Sequence, residues 1–289
     1  MVSDIIKYDF KPGLPIEFEV VSLGDLYNVH KELMTSPHRT GFYHVLWFQE
    51  GITNHLVDFK QVTIEPNTIL FLNKDIVHQF DTKGNFDGKA ILFTDSFFCK
   101  TENHTKYLRN SILFNDLFSV SKIKLNENKA FEDLFALIIE ESGNENDTFH
   151  SDILHNLLHN LLLKSERIRR EQDFTEIKKD AHLDYVIMFK DLLEKEFRNR
   201  KQVSNYADGL IVSAKRLNQA TSKVLGKTPK ELIDERVMLE AKRLLVYTNE
   251  SVKEIGFELG FEEPTNFIKY FRKHSDITPV EFREQFRMD

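Results

Sequence analysis

Two short stretches carry side chains whose type and spacing suit the reading of base edges: Lys215, Asn218 and Gln219 in the first, and Thr265, Asn266, Ile268 and Lys269 in the second. Amides suit adenine and lysine suits guanine in the major groove, provided a helix presents them outward from one face. Lys223, Arg272 and Lys273 stand nearer the ends of the same stretches, where cations hold phosphates. Thr228 and Thr278 open the segments that follow, and helix N-termini also attract phosphate. A different chemistry is open to His44, His55 and His78, since neutral imidazoles suit zinc- or iron-type ions. The alternative, adopted here, is strand histidines hydrogen-bonded at the rim of a small barrel, with no metal and no cofactor. His155 and His159 sit one helical turn apart, but no acid follows His155 as a zinc-protease helix demands. They are expected on a polar or interface edge.

The elements that would position the base-reading residues are marked by caps. Ser251 followed by Glu254 is a capping box, predicting a helix with Val252, Ile255 and Leu259 on one face. Gly260 ends it, and Glu263-Pro264 starts the next, whose apolar stripe is Phe267, Ile268 and Phe271. Thr278-Pro279-Val280-Glu281 is a further capping box with proline inside it. The pattern occurs once before. Val203, Ala207, Leu210 and Val212 recur 49 positions later as Val252, Gly256, Leu259 and Phe261; after one inserted residue, Leu217, Thr221, Gly226, Thr228-Pro229 and Glu231 recur 50 positions later. That is one supersecondary unit used twice. The segment between, with Leu232, Val237, Leu239, Ala241, Leu244 and Leu245 and no Gly or Pro, predicts a rigid helix joining two helix-turn-helix units. Two such units on one rod can address successive turns of one DNA face, with Leu217, Phe267 and Phe271 turned to the core.

Residues from about 185 to 287 resemble the DNA-binding domain of AraC/XylS-type bacterial transcription regulators. The resemblance rests on Ile255-Gly256, Leu259-Gly260-Phe261, Phe267, Phe271-Arg272-Lys273, Thr278-Pro279 and Phe282-Arg283. It implies that the outward residues named above occupy the family's base-contacting positions. The chain departs from the usual pattern at Gly256 (commonly Ala), Asp276 (commonly Gly), Thr221 (commonly a large apolar residue) and Gln219 (frequently Arg).

The formal net charge of −7 argues at first against a nucleic-acid partner, but the charge is uneven. From Arg198 onward there are 17 Lys and Arg against 14 Asp and Glu, so only this part has the sign phosphate requires. The lone cysteine, Cys99, cannot form an intrachain disulfide, and the first ten residues are no signal peptide; a cytoplasmic location is expected. No apolar run approaches the ~20 residues a membrane span needs.

Residues 1 to about 120 read as strands (42–48, 55–64, 68–73, 78–81 and 89–94), which suggests a small barrel or jelly roll. Residues 42–94 resemble the cupin-like sensory domain often found in front of AraC-type DNA-binding domains, with Ile69-Leu70-Phe71-Leu72 leading to His78-Gln79-Phe80. A cupin metal site usually presents a His-x-His pair, whereas Leu56-Val57 follows His55. An interior lined by Phe, Leu and Trp would take a small organic molecule; the alternative is a barrel filled by its own side chains. Two helices are expected at 127–141 and 148–170. The second carries Ile153, Leu154, Leu157, Leu158, Leu161 and Leu162, an apolar face wide enough for its own barrel and the same helix of a second chain. Packing within one chain is the alternative.

The expected fold is α+β in two domains: a cupin-like β-barrel with a helical dimerisation segment (1–170), a charged linker (171–181) and an all-α domain with two helix-turn-helix units (182–289). The function this supports is a sequence-specific DNA-binding transcription regulator without catalytic activity, modulated by a small organic effector in the barrel. Its partners would be double-stranded DNA, a second copy of the chain and RNA polymerase, with no membrane. The alternatives are a metal-dependent cupin enzyme fused to a DNA-binding module, and a regulator whose ligand-free barrel serves only to dimerise.

Overall fold

The computed structural model describes residues 5–115, 119–126, 128–144, 147–172 and 181–286. The chain divides into two compact units, one over 6–176 and the other principally over 177–289. The expected linker lies almost entirely on residues outside the described ones, as does Glu127 at the expected start of a helix.

The first unit is a curled nine-stranded sheet with helices packed against both of its faces. Its strands are β1 (Ile6–Tyr8), β2 (Phe18–Ser22), β3 (His38–Thr40), β4 (Tyr43–Val57), β5 (Lys60–Ile64), β6 (Thr68–Leu72), β7 (His78–Phe80), β8 (Asn85–Phe93) and β9 (Lys122–Lys124). The fifteen residues of β4 run through the centre: its first half pairs with β6 and β8, its second with β5 and β7. Gly51, at φ 80°, makes the bend between the halves. A Cβ there would come within 1.9 Å of the Asn85 carbonyl oxygen, so no other residue allows β8 to lie so close.

The structure differs from the strand expectation at 55–64. Asp58 and Phe59, both in the left-handed region (φ 46° and 64°), turn the chain back so that Val57 pairs with Lys60. This two-residue turn is made without the glycine that usually betrays one. Four short helices also interrupt the region read as strands: α1 (Leu23–Val29), α2 (Lys31–Thr35), α3 (Asp95–Phe98) and α4 (Glu102–Asn110).

Alternation along the sheet divides two cores. Tyr43, Val45, Trp47, Ile69, Phe71, Ile91 and Phe93 face α3, α4 and the long pair α5 (Lys129–Ser142) and α6 (His150–Glu171). Leu46, Phe48, Leu70, Leu72, Phe80 and Phe86 fill the concave side. Trp47 therefore lies outside the curl, edge-on to Phe135 at 4.9 Å, and does not line the interior as expected.

The second unit is all helical: α7 (Ala181–Glu196), α8 (Val203–Gly209), α9 (Ala214–Leu225), α10 (Pro229–Tyr247), α11 (Val252–Glu258), α12 (Pro264–Ser275) and α13 (Pro279–Phe286). Capping boxes open α10 at Thr228 and α11 at Ser251. Thr278 and Glu281 exchange the same bonds before α13. Asp276, at φ 64°, ends α12 in the left-handed conformation that Gly226 adopts after α9.

Candidate nucleic-acid interface

α8–α9 and α11–α12 form two helix-turn-helix units joined by α10. Ser213 caps α9 by accepting from the Arg216 N–H, and Pro264 opens α12. Leu217, Ala220 and Thr221 turn α9 to the core, as Phe267 and Phe271 turn α12. Opposite them α9 exposes Lys215, Arg216, Asn218, Gln219, Ser222 and Lys223, and α12 exposes Thr265, Asn266, Ile268, Lys269, Arg272 and Lys273. Shifted by 50 positions, each of the first six falls on one of the second six. Neither helix contains an acidic residue, so both exposed faces are cationic. The sequence reading passes over Arg216 and Ser222, although the same offset points to both. The Arg216 guanidinium lies over the Tyr185 ring at 4.9 Å.

The two threonines assigned to phosphate are placed otherwise. Thr228 N–H and Oγ1–H donate to Glu231 Oε2 at 2.7 and 2.8 Å, and Thr278 makes the same pair of bonds to Glu281. The N–H and Oγ1–H of each threonine are thus engaged by its own glutamate. The backbone N–H donors hold both glutamates below the usual carboxylate range.

Side chains on α10 tie the rod to the second unit and to α7, the helix that packs against α9 of the first. Glu240 is 1% exposed and accepts from Arg236, Arg243 and Arg198; Arg236 also binds Glu194 of α7, and Arg198 pairs with Glu258 of α11. Asp234 accepts from Tyr270 of α12 at 2.6 Å and pairs with Lys230. Burial, then the bond and charge of Asp234, push the Tyr270 hydroxyl above its ordinary range. The two turns are equivalent too, with Ile211 (φ 55°) in the place of Gly260 (φ 74°).

In the first unit, His44, His55 and His78 come together and are joined by His38, which no sequence spacing singles out. They are buried inside the curl among phenylalanines rather than hydrogen-bonded at a rim.

Comparison with known proteins matches both units. The profile of the AraC-like ligand binding domain covers residues 27–158, and that of a helix-turn-helix domain covers 206–285. The chain belongs to the AraC/XylS-type family of transcription regulators. It is similar to the HTH-type transcriptional activator RhaS of Citrobacter koseri, with 23% identity over 86% of this chain and 87% of that one. Against the lactose operon transcription activator of Staphylococcus xylosus the identity is 26% over 52% of this chain, which spans about half (51%) of that relative's length. ToxT of Vibrio cholerae aligns over 85% of this chain and 91% of its own, at 15% identity and a TM-score of 0.44. No helix among the described residues of this AraC-type chain is long and apolar enough to cross a membrane.

The dimerisation face expected on the AraC-type sensory unit is corrected. Leu154, Leu158, Leu161 and Leu162 are fully buried in their own domain, packed with Phe131, Phe135 and Ile138 of α5, and Leu157 is partly buried beside them. The sheet and α5 consume this face, so it has no surface left for a second chain. Of the six, Ile153 alone is exposed, on the opposite side of α6 with Phe149 and Leu163.

Proposed function

We propose that this regulator reads one face of a DNA duplex through the N-terminal halves of α9 and α12. The first unit would use Lys215, Asn218 and Gln219 with Arg216, and the second Thr265, Asn266, Ile268 and Lys269. Lys223, Arg272 and Lys273 would hold phosphates. The observation that carries this reading is the position-for-position match of two exposed, acid-free helix faces on units joined by one continuous helix. The half-barrel would modulate binding by taking a small-molecule effector, and the chain would act in the cytoplasm, without catalysis, together with RNA polymerase.

It would act as a homodimer through the exposed seam of α6. Phe149, Ile153, Asn156, Asn160, Leu163 and Arg167 are spaced alternately by four and three, the heptad seam of a two-helix contact, with asparagines suited to fixing its register.

Binding to a set of operator variants, measured across a salt series, tests the base-reading assignment. Lys269→Ala is expected to cost about 1–3 kcal/mol and relax preference at one base position, whereas Arg272→Ala weakens all sequences alike and flattens the salt slope by about one unit. Equal losses of specific and nonspecific binding in both variants would remove α12 from base reading.

A further inference from the structure

The repeat breaks at one position in its turns, and the break coincides with a contact between the two helix-turn-helix units. In the first turn, Ile211 is 93% exposed. Its equivalent in the second, Gly260, has no room for any side chain: a Cβ there would lie 1.9 Å from the Arg198 carbonyl oxygen and 3.1 Å from Lys201 Nζ. The loop between α7 and α8, which leads into the first helix-turn-helix, is thus seated directly on the turn of the second. That loop is itself held in place. The Arg200 carbonyl accepts from the buried Tyr206 hydroxyl of α8 at 2.8 Å, and the Arg200 N–H donates to the Glu196 carbonyl at the end of α7.

Two cations close the contact. Lys201 Nζ donates to the Arg198 carbonyl at 2.8 Å and to the Gly260 carbonyl at 3.3 Å, and stands 4.7 Å from the centroid of the Phe261 ring. One ammonium, with its three donors, thereby joins a carbonyl from each side of the seam. Arg198 reaches Glu258 of α11 at 3.1 Å and Glu240 of α10 at 3.2 Å. The contact continues into α12, because the Phe261 ring packs on Phe267 and Tyr270 with centroids 5.4 and 5.2 Å apart. A solvated surface lysine is the plainer account of Lys201, and its setting is against it. Burial, followed by the charge of Lys230, holds its ammonium down to about 8, so placing it here costs free energy that a lysine in open solvent is spared.

We propose that Lys201 and Arg198 are positioning residues for DNA recognition: they lock the turn of the second helix-turn-helix onto the loop that enters the first, and so fix the operator spacing that the protein accepts. This rests on the reading of DNA by both α9 and α12. α10 joins the two units but leaves a non-helical junction at each end, 226–228 and 248–251, and short segments at element ends are where hinge rotation is absorbed. One base pair inserted between half-sites turns the second by about 35° and carries it ~3.4 Å along the duplex axis. A locked pair of units cannot follow that change and gives up base contacts of one helix. An unlocked pair swings to meet both.

The test uses the full chain and the duplex it selects from a randomised library, together with the same duplex carrying one extra base pair between the half-sites. Wild type is expected to bind the lengthened duplex about tenfold or more weakly, the loss of at least one base contact. Lys201→Met keeps the apolar stem against Phe261 and removes both hydrogen bonds; Glu258→Ala frees Arg198 from α11. Each should lower the ratio of the two affinities severalfold. Loss of stability alone weakens binding to both duplexes alike and leaves that ratio unchanged. If Lys201→Met fails to fold by circular dichroism, Glu258→Ala, at a partly exposed site, carries the comparison. The proposal alone is overturned if wild type discriminates between the duplexes and the folded variants keep the same ratio. If wild type binds both duplexes equally, the two-helix reading falls and the proposal falls with it.

Discussion

Replacing Ile211 with glycine is expected to stabilise the helical unit. Ile211 sits at φ 55° in the turn between α8 and α9 and is 93% exposed, so its side chain gains almost nothing from burial. The left-handed conformation costs a residue with a Cβ about 1–2 kcal/mol. Glycine removes that cost but loses about 0.5–1 kcal/mol more backbone entropy on folding, leaving a net gain of about 0.5–1 kcal/mol. Thermal unfolding followed by circular dichroism should rise by roughly 2–8 °C for a unit of this size. The equivalent Gly260 supplies the reciprocal experiment. A Cβ there meets the Arg198 carbonyl oxygen at 1.9 Å, so Gly260→Ala must move backbone as well as bear the left-handed cost. A loss of about 2–5 kcal/mol is expected. Ile211→Ala separates the causes, since it trims the side chain and keeps the Cβ. If Ile211→Ala stabilises as much as Ile211→Gly, the side chain rather than the backbone conformation is responsible and the reasoning is refuted.

Three further outcomes follow from the packing. Glu240→Ala should cost about 3–5 kcal/mol in chemical denaturation, because it leaves Arg243, 3% exposed, without the carboxylate it is buried against. Leu158→Glu should unfold the sensory unit rather than merely separate a dimer, whereas Ile153→Glu with Leu163→Glu should leave it folded and give a monomer by light scattering. A dimer that survives the double substitution would exclude the α6 seam. The third outcome concerns pH. Glu231, Glu254 and Glu281 are held below the ordinary carboxylate range chiefly by the backbone N–H groups they accept from. Their stabilisation is therefore fully present above that range and is lost as pH falls through the lowered folded values. The urea midpoint should drop on acidification from pH 7 toward 3, and less steeply in a variant with all three changed to Gln.

How much of this was legible in the sequence follows from how local each cause is. A capping box lies within four residues, so Thr228, Ser251 and Thr278 announce their helices directly. The exposed faces of α9 and α12, proposed to read bases, were legible for a second reason. One unit is used twice, so an assignment on α12 checks its counterpart on α9, and full use of that offset recovers Arg216. Thr228 and Thr278 use their own donors in starting their helices, which the sequence already implies by the glutamate three positions on. Other features depend on partners far along the chain. The apolar face of α6 was visible as periodicity, but periodicity cannot say whether a sheet or another chain covers it, and Phe131 and Phe135 of α5 decide that. Glu240 reads as one more charge on an amphipathic helix until Arg198, Arg236 and Arg243 close around it. His38, His44, His55 and His78 are separated by 6, 11 and 23 positions, which share no single period. They meet because β4 bends at Gly51 and the Asp58-Phe59 turn leaves its second half beside β7. Both devices rest on positive φ, and at Asp58 and Phe59 the residue types give little warning of it. The histidine island was missed because the long-range curvature of the sheet creates it.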